Sequence, residues 1–230
     1  EYITGFTGSA GTAVITKDDA KLFTDGRYFV QAKRQIEGTG FSLMAVGAPG
    51  VPDIYAYCLD VAEHGWTMGF DGRTVPAQMG LLLTDIMEEK SGKCVYDFDA
   101  VGEIYEDRPE FPHSKAFMLE EKYAGESVAH KLERIRWQMR HKKADIHIMT
   151  TLDDICWTFN IRGLDVECNP VIMAYSVITM DNAYIYTDRD RFDDNTIGVF
   201  DDAGVVICPY NDKYSDIEGL KVHVLIDTIR

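Results

Sequence analysis

A long internal repeat constrains the fold of this chain more than any other feature. Residues 11–29 read GTAVITKDDAKLFTDGRYF, and residues 174–192 read AYSVITMDNAYIYTDRDRF. Without any gap the two share V-I-T-x-D-x-A-x-x-x-T-D, followed by a phenylalanine four residues after the last aspartate. A match of this length and regularity indicates two copies of one structural unit.

Each copy predicts a β-hairpin inside a layered α/β unit. In the first copy the apolar runs GTAVIT and AKLFT flank a polar turn at residues 17–19, which is typical of two antiparallel strands. Further strand patterns, such as residues 66–71, alternate with helical patterns at 52–64 and 75–90. Such alternation predicts mixed sheets flanked by helices. We therefore predict an α/β fold made of two similar units.

The polar segment EDRPEFPHS, residues 106–114, marks the predicted boundary because it contains two prolines. We assign residues 1–112 to a first domain and residues 113–230 to a second. An amphipathic helix and a strand precede the second copy, whereas only a few residues precede the first. We therefore expect the first domain to lack its opening helix and strand, and the second domain to be truncated at its end.

Composition narrows the class of protein. The net charge of −15 and the pI near 4.7 argue against nucleic acid as a partner, because phosphate binding needs a basic surface. No apolar run reaches the roughly 18 residues that a membrane helix needs. The five cysteines are odd in number and form no C-x-x-C pair, which favours reduced thiols. These observations predict a soluble, cytoplasmic protein.

The repeat differs between its copies after the shared Thr-Asp. The first copy continues as Gly26-Arg27-Tyr28, and the second as Arg189-Asp190-Arg191. Gly26 allows a tight turn or the close approach of a ligand, and the planar fork of Arg27 can bind a carboxylate or a carbonyl group. Alternatively, Arg27 pairs with Asp25 and stabilises the start of a helix. The residues alone favour that pairing.

The glycines that precede the first hairpin do not form a nucleotide-binding loop. Gly5, Gly8 and Gly11 match neither a phosphate loop nor a dinucleotide loop, since a strand and not a helix follows them. We predict that they shape a crowded entry to that strand.

Other candidate sites have structural alternatives. The loop residues Asp165, Glu167 and Asn169 have a spacing that suits a cation, but a purely structural loop is favoured. Asp153-Asp154 fits a helix N-terminus better than a metal site. No histidine has a recognisable ligand spacing, and no serine or cysteine has an identifiable triad partner. We therefore predict neither a catalytic residue nor a metal site in this chain.

The helix predicted to begin after Ser127 carries a basic patch. Its cationic residues are Lys131, Arg134, Arg136, Arg140, Lys142 and Lys143. The apolar residues fall on a different face, so we interpret the cationic residues as a solvated surface.

Several long segments resemble a known family. ITGFTGSAGTAVIT and LFTDGRYFVQA resemble the amino-terminal domain of Xaa-Pro aminopeptidases, which are metallopeptidases of the creatinase/prolidase type. EDRPEFP, YAGES, KLERIRWQM and LDDICWTFNIRGLDVECNPV resemble the second domain of the three-domain cytosolic members. The resemblance covers essentially the whole chain, and it implies two units of the creatinase amino-terminal fold, which has a ribonuclease H-like motif.

The resemblance also implies a function for the parent protein. Such enzymes remove the amino-terminal residue that precedes proline in a peptide, using two metal ions, commonly manganese, in a carboxy-terminal catalytic domain. Asp227 lies in a segment like that of one metal ligand, but it lacks the expected glycine, and we interpret it as part of a closing strand. This chain would then be the non-catalytic portion, which supports homodimerisation and restricts substrate access.

Of the residues here, the resemblance implies a substrate-binding role only for Arg27, within TDGRYF. The alternative function is a non-catalytic creatinase-like scaffold or protein-interaction module, because such domains also occur in proteins that have lost catalysis.

Overall fold

The computed structural model describes residues 1–227 and divides them into two compact units, Glu1–Arg108 and 109–227. Each unit combines short strands with helices, so the predicted α/β class is confirmed. No helix among residues 1–227 has the length and apolar character needed to cross a membrane.

The first unit holds a three-stranded sheet and a two-stranded sheet. Its strands are β1 (Thr12–Ile15), β2 (Ala20–Thr24), β3 (Ser42–Ala45), β4 (Thr67–Gly69) and β5 (Lys93–Val95). Its helices are α1 (Phe29–Gln35), α2 (Ile54–Val61) and α3 (Ala77–Glu89). β2 lies between an antiparallel β1 and a parallel β3, and β4 pairs in parallel with β5. A small core joins Phe6 and Leu22 to Ala32 and Ile36 of α1 and the turn after it.

The second unit is built around a five-stranded mixed sheet. Its strands are β6 (Phe117–Met118), β7 (Ile146–Met149), β8 (Ile161–Arg162), β9 (Tyr175–Thr179), β10 (Ala183–Tyr186), β11 (Val205–Cys208) and β12 (Val224–Ile226). Its helices are α4 (Glu121–Ala124), α5 (Val128–His141), α6 (Leu152–Thr158), α7 (Asp194–Asp202) and α8 (Lys213–Ile217). The sheet order is β11-β10-β9-β7-β12, and β6 pairs with β8.

The predicted start of α5 and the predicted closing strand are confirmed, but several elements were missed. The Ser127 hydroxyl accepts a hydrogen bond from the His130 amide at 3.2 Å, so Ser127 caps α5 as predicted. Asp227 directly follows β12, which pairs in parallel with β7 as a closing strand should. The sequence analysis did not identify α7, which begins after Asp193, whose side chain accepts from the Thr196 amide.

The two copies of the repeat adopt the same hairpin in the same register. Ile15 lies opposite Ala20 in the first copy, and the corresponding Ile178 lies opposite Ala183 in the second. The Thr24 hydroxyl donates to the carbonyl of Ala10 at 2.5 Å, and the equivalent Thr187 donates to that of Met173 at 3.2 Å. The repeated threonine therefore fixes the preceding segment against the hairpin in both units.

Candidate functional site

Phe6 fills the space that Gly8 and Gly11 leave open before β1. A Cβ atom added at Gly8 would lie 2.2 Å from the Phe6 ring, and one at Gly11 would lie 2.9 Å from it. Gly5 has a φ of +70°, a conformation that side-chain-bearing residues rarely adopt. The prediction of a crowded strand entry is therefore confirmed.

Arg27 lies in the turn between β2 and α1, and its side chain is 67% exposed. Its Nε donates to Asp25 Oδ1 at 2.9 Å, and its Nη2 donates to Asp25 Oδ2 at 2.7 Å. The backbone amide of Arg27 also donates to Asp25 Oδ1, at 3.1 Å. The structure thus contains the ion pair that the residues alone favoured.

The pair fixes the charge state of both groups. The hydrogen bonds from the Arg27 side chain and amide lower the pKa of Asp25 to about 2. Asp25 in turn raises the pKa of Arg27, which keeps its charge at any physiological pH. Within the described part of the chain, Arg27 Nη1 has no hydrogen-bond acceptor, so this amino group can bind an acceptor from outside.

The same three-residue motif occurs again at Asp71-Gly72-Arg73. There too the Asp71 carboxylate accepts one hydrogen bond from the Arg73 amide and two from the Arg73 guanidinium, at 2.8–2.9 Å. The glycines differ, however. A Cβ at Gly72 would lie 2.9 Å from the Tyr96 carbonyl oxygen, whereas one at Gly26 would meet only the Phe29 ring at 3.9 Å. Packing within the chain therefore requires Gly72 but does not require Gly26, whose φ is also not in the left-handed region.

The loop candidates of the second unit are not brought together around a cation. The Asp165 carboxylate turns inward and is fully buried against Arg191, with Oδ2 at 2.8 Å from Nη1. Asn169 instead approaches Asp153 at 3.4 Å, while Glu167 is exposed. Asp165 therefore has a structural contact in this loop, through its pairing with Arg191.

Asp165 and Arg191 form a buried clamp on the segment Pro112–Ser114. Asp165 accepts from the amides of Ser114 at 2.8 Å and Met173 at 2.7 Å. Arg191 donates to the carbonyls of Ser114 at 3.0 Å and Pro112 at 2.6 Å. Burial acts to raise the pKa of Asp165, but these hydrogen bonds outweigh it, so the pKa lies below its usual value. Sequence reasoning missed this clamp because no sequence pattern distinguishes Arg191 from Arg189, which is exposed two residues earlier.

The interpretation of the α5 cations as a solvated surface is wrong for Lys131. Its side chain is buried, and its ammonium donates to the carbonyl of Trp157 at 2.7 Å and to Asn160 Oδ1 at 2.6 Å. Nζ also lies 4.1 Å from the centre of the Trp157 ring. Burial lowers the pKa of Lys131. Lysine has a long apolar stem, and two acceptors from a distant part of the sequence bind its ammonium group. The side chain can therefore point inward although its charge predicted a solvent-facing position.

The described part of the chain shows no donor set for a two-metal centre. No group of three or more His, Cys, Asp or Glu side chains that could hold a metal ion is present among residues 1–227. The best acidic candidate is already engaged by Arg191. No chemical step through a metal is therefore assigned to the residues of this chain.

Comparison with known proteins gives the family. One model of the creatinase/prolidase N-terminal domain matches residues 1–104, and a second model with the same description matches residues 107–229. The chain belongs to the creatinase/prolidase N-terminal domain family. Its two units are thus two domains of the type that their repeated hairpin indicated.

Curated relatives and a solved structure agree with this assignment. The chain is 35% identical to a protein of Tuber melanosporum named Probable Xaa-Pro aminopeptidase P, over 95% of this chain and 36% of that protein. It is 37% identical to Aminopeptidase P2 of Arabidopsis thaliana, over 95% of this chain and 31% of that protein. The chain also superimposes on an X-prolyl aminopeptidase from Caenorhabditis elegans with a TM-score of 0.90 at 30% identity, over 94% of this chain and 35% of that one. That protein is described as a cytosolic enzyme with a di-nuclear active site.

The chain spans about a third of the length of these relatives. The resemblance that the sequence suggested is confirmed at the level of family and fold.

Proposed function

We propose that this chain is the amino-terminal part of a cytoplasmic Xaa-Pro aminopeptidase, which removes the amino-terminal residue that precedes proline in peptides. The observation that carries the proposal is the agreement with the C. elegans enzyme over 94% of this chain at a TM-score of 0.90. Coverage of 94% includes most of each unit. The names of the curated relatives point to the same activity.

Hydrolysis would take place outside these residues. The described part of the chain offers no donor set for two metal ions, and the C. elegans enzyme is described as di-nuclear. We therefore place two metal ions, manganese in our proposal, in a further domain of the longer protein. The two units described here would support homodimerisation and restrict the active site to peptides.

Arg27 is the residue through which this chain would contact the substrate. Asp25 holds two of its nitrogens and fixes the guanidinium plane, so Nη1 can donate to a peptide carbonyl or carboxylate with little loss of side-chain entropy. The space beside Gly26 supports a close approach, because the packing of this chain gives no reason for a glycine there.

The overall function is tested by comparing the 230-residue chain with the full-length protein on a peptide that has proline at its second position, with manganese added. We expect turnover by the full-length protein and none by the isolated chain. Turnover by the isolated chain would refute the division of labour. A full-length protein that folds but is inactive with manganese, cobalt or zinc would instead favour a creatinase-like scaffold.

The role of Arg27 is tested in the full-length protein with three variants. Arg27→Ala should lower kcat/KM by about 10- to 100-fold, the range for losing one charged hydrogen bond. Gly26→Ala should also lower kcat/KM while leaving stability unchanged. Arg73→Ala is the control, because it removes the equivalent pair with Asp71, together with a longer contact to Asp99 at 3.7 Å, at a site with no proposed substrate contact. If Arg27→Ala and Arg73→Ala have the same kinetics as the parent, the role of Arg27 is structural.

A further inference from the structure

The ring of Tyr28 gives Arg27 a second contact inside the first unit. The guanidinium carbon of Arg27 lies over this ring, 5.1 Å from its centre, which is within the distance at which an aromatic face attracts a cation. Asp25 binds two nitrogens of the same guanidinium. The side chain of Arg27 is therefore held by two neighbours of different chemistry, a carboxylate and an aromatic ring.

The ring is in turn held by the segment that precedes β1. The hydroxyls of Ser9 and Tyr28 share a hydrogen bond at 2.7 Å, in which either can be the donor. Phe6 contacts the same ring edge-to-face, with the ring centres 5.8 Å apart and an interplanar angle of 82°. Tyr28 is therefore a half-buried ring with fixed surroundings, next to an arginine whose side chain is 67% exposed.

The ion pair with Asp25 does not by itself hold an exposed arginine in one place. Both side chains are accessible to water, and exposed ion pairs contribute little because water competes for the charges and two flexible side chains must be ordered. A ring that Ser9 and Phe6 already hold loses little entropy when it contacts the guanidinium. Tyr28 therefore reduces the number of positions that Arg27 Nη1 can occupy before a ligand binds.

Two comparisons within the chain separate Tyr28 from the rest of this turn. The repeat offset of 163 (177 minus 14) places Asp190 opposite Arg27 and Arg191 opposite Tyr28, so the second copy replaces both members of the pair. The other Asp-Gly-Arg turn, at residues 71–73, is followed by Thr74 and not by an aromatic residue. The turn with the proposed substrate contact is thus the one in which a ring follows the arginine.

We propose that Tyr28 is a positioning residue for Arg27, and that the Ser9 hydroxyl holds the ring of Tyr28 in place. Tyr28 directs Arg27 Nη1 towards a carbonyl or carboxylate of the peptide and does not itself contact the substrate. The proposal rests on the proposed substrate-binding role of Arg27. It also gives the crowded segment before β1 a part in that role, because Phe6 and Ser9 reach Tyr28 from it.

The test is a double-mutant cycle on the kcat/KM of the full-length protein, with a peptide that has proline at its second position and with manganese added. Tyr28→Leu should lower kcat/KM by about 5- to 10-fold, because the guanidinium loses its aromatic contact and gains freedom. The loss should divide between kcat and KM in the same proportion as in Arg27→Ala. In the double variant, kcat/KM should equal that of Arg27→Ala within about 2-fold. Losses that multiply would overturn the proposal, because Tyr28 would then act independently of Arg27.

Conservative variants test the ring and the Ser9 hydroxyl separately. Tyr28→Phe keeps the ring and its packing but loses the hydroxyl, so it should recover most of the activity that Tyr28→Leu loses and remain about 2-fold below the parent. A value as low as that of Tyr28→Leu would overturn the role of the ring. Ser9→Ala removes the same hydrogen bond from the other side, so it should match Tyr28→Phe, and the two changes together should cause no further loss. A kcat/KM equal to that of the parent in Ser9→Ala would overturn the role of Ser9.

Tyr123→Leu is the matched control. The ring of Tyr123 also contacts the cation of the preceding residue, with Lys122 Nζ 4.8 Å from the ring centre, at a site with no proposed substrate contact. This variant should have the kcat/KM of the parent, and a loss equal to that of Tyr28→Leu would overturn the proposal.

Arg27→Ala separates the failure of this proposal from that of the proposed substrate contact. If Arg27→Ala has the kinetics of the parent, the substrate contact of Arg27 is refuted and the role of Tyr28 with it. If Arg27→Ala lowers kcat/KM and Tyr28→Leu does not, only the role of Tyr28 is refuted.

Discussion

The buried clamp between Arg191 and Asp165 gives the sharpest prediction about stability. Arg191→Met keeps an unbranched, buried side chain of comparable length but removes the charge and every hydrogen bond of the guanidinium. Asp165 would then be a buried carboxylate with only its two amide donors, Ser114 and Met173. The carbonyls of Pro112 and Ser114 would lose the guanidinium that now donates to them.

The magnitude follows from these contacts. Removing one partner of a buried ion pair costs about 3 to 5 kcal/mol, because the remaining charge stays buried and uncompensated. The two carbonyls are only partly buried, so water compensates them in part and they add little. We expect Arg191→Met to lower the free energy of unfolding of the second unit by about 4 kcal/mol. Replacing Asp165 as well should not restore stability, since the main-chain groups would still lack their partners.

Equilibrium urea unfolding measures this loss. With Trp66 replaced by phenylalanine, fluorescence reports only Trp137 and Trp157, the two tryptophans of the second unit. Arg189→Met is the matched control, because Arg189 is exposed two residues away, and it should change stability by no more than about 0.5 kcal/mol. A loss below about 1 kcal/mol for Arg191→Met would refute the reasoning.

Three further predictions concern the second unit. The pKa of Asp165 is lower in the folded state than in the unfolded state, so ionised Asp165 stabilises the fold above about pH 4, and this stabilisation is lost as the pH falls through the folded pKa. Urea unfolding should therefore give a lower free energy of unfolding at pH 3 than at pH 7. The difference between the two pH values should be smaller in Asp165→Asn. Lys131→Met should lower the free energy of unfolding by about 1.5 to 3 kcal/mol in the same assay, because charged hydrogen bonds are lost. Lys142→Met, at the exposed C-cap of α5, should leave the free energy of unfolding almost unchanged. Equal losses for the two variants would contradict the burial of Lys131. Gly163→Ala should destabilise the second unit by about 1 to 3 kcal/mol, because the added Cβ would lie 2.2 Å from Ile172. Gly198→Ala should stabilise it by about 0.5 to 1 kcal/mol, because the added Cβ would lie in open space on α7. A higher melting temperature for Gly163→Ala than for Gly198→Ala would contradict this packing.

The repeat predicted the part of the fold that depends on local interactions. Alternating apolar residues, the turn and the hairpin register are properties of a short stretch of chain, and the pairs Ile15–Ala20 and Ile178–Ala183 follow from them. The cap at Ser127 is also local, since a hydroxyl three residues before an amide can reach it. For the same reason the pairing of Arg27 with Asp25 could be foreseen from two residues in one turn.

What the sequence alone determined is therefore the family, the two α/β units and the local pairing at Arg27. The tertiary structure alone decided which charged residues are buried. Arg189 and Arg191 are indistinguishable in the pattern, as are Lys131 and Lys142 on one helix. Their environments differ because Asp165 and Asn160, which lie 26 and 29 residues from their partners, are brought close only by folding. The physical reason is that burial of a charge depends on acceptors supplied from distant parts of the chain, and no short pattern records them.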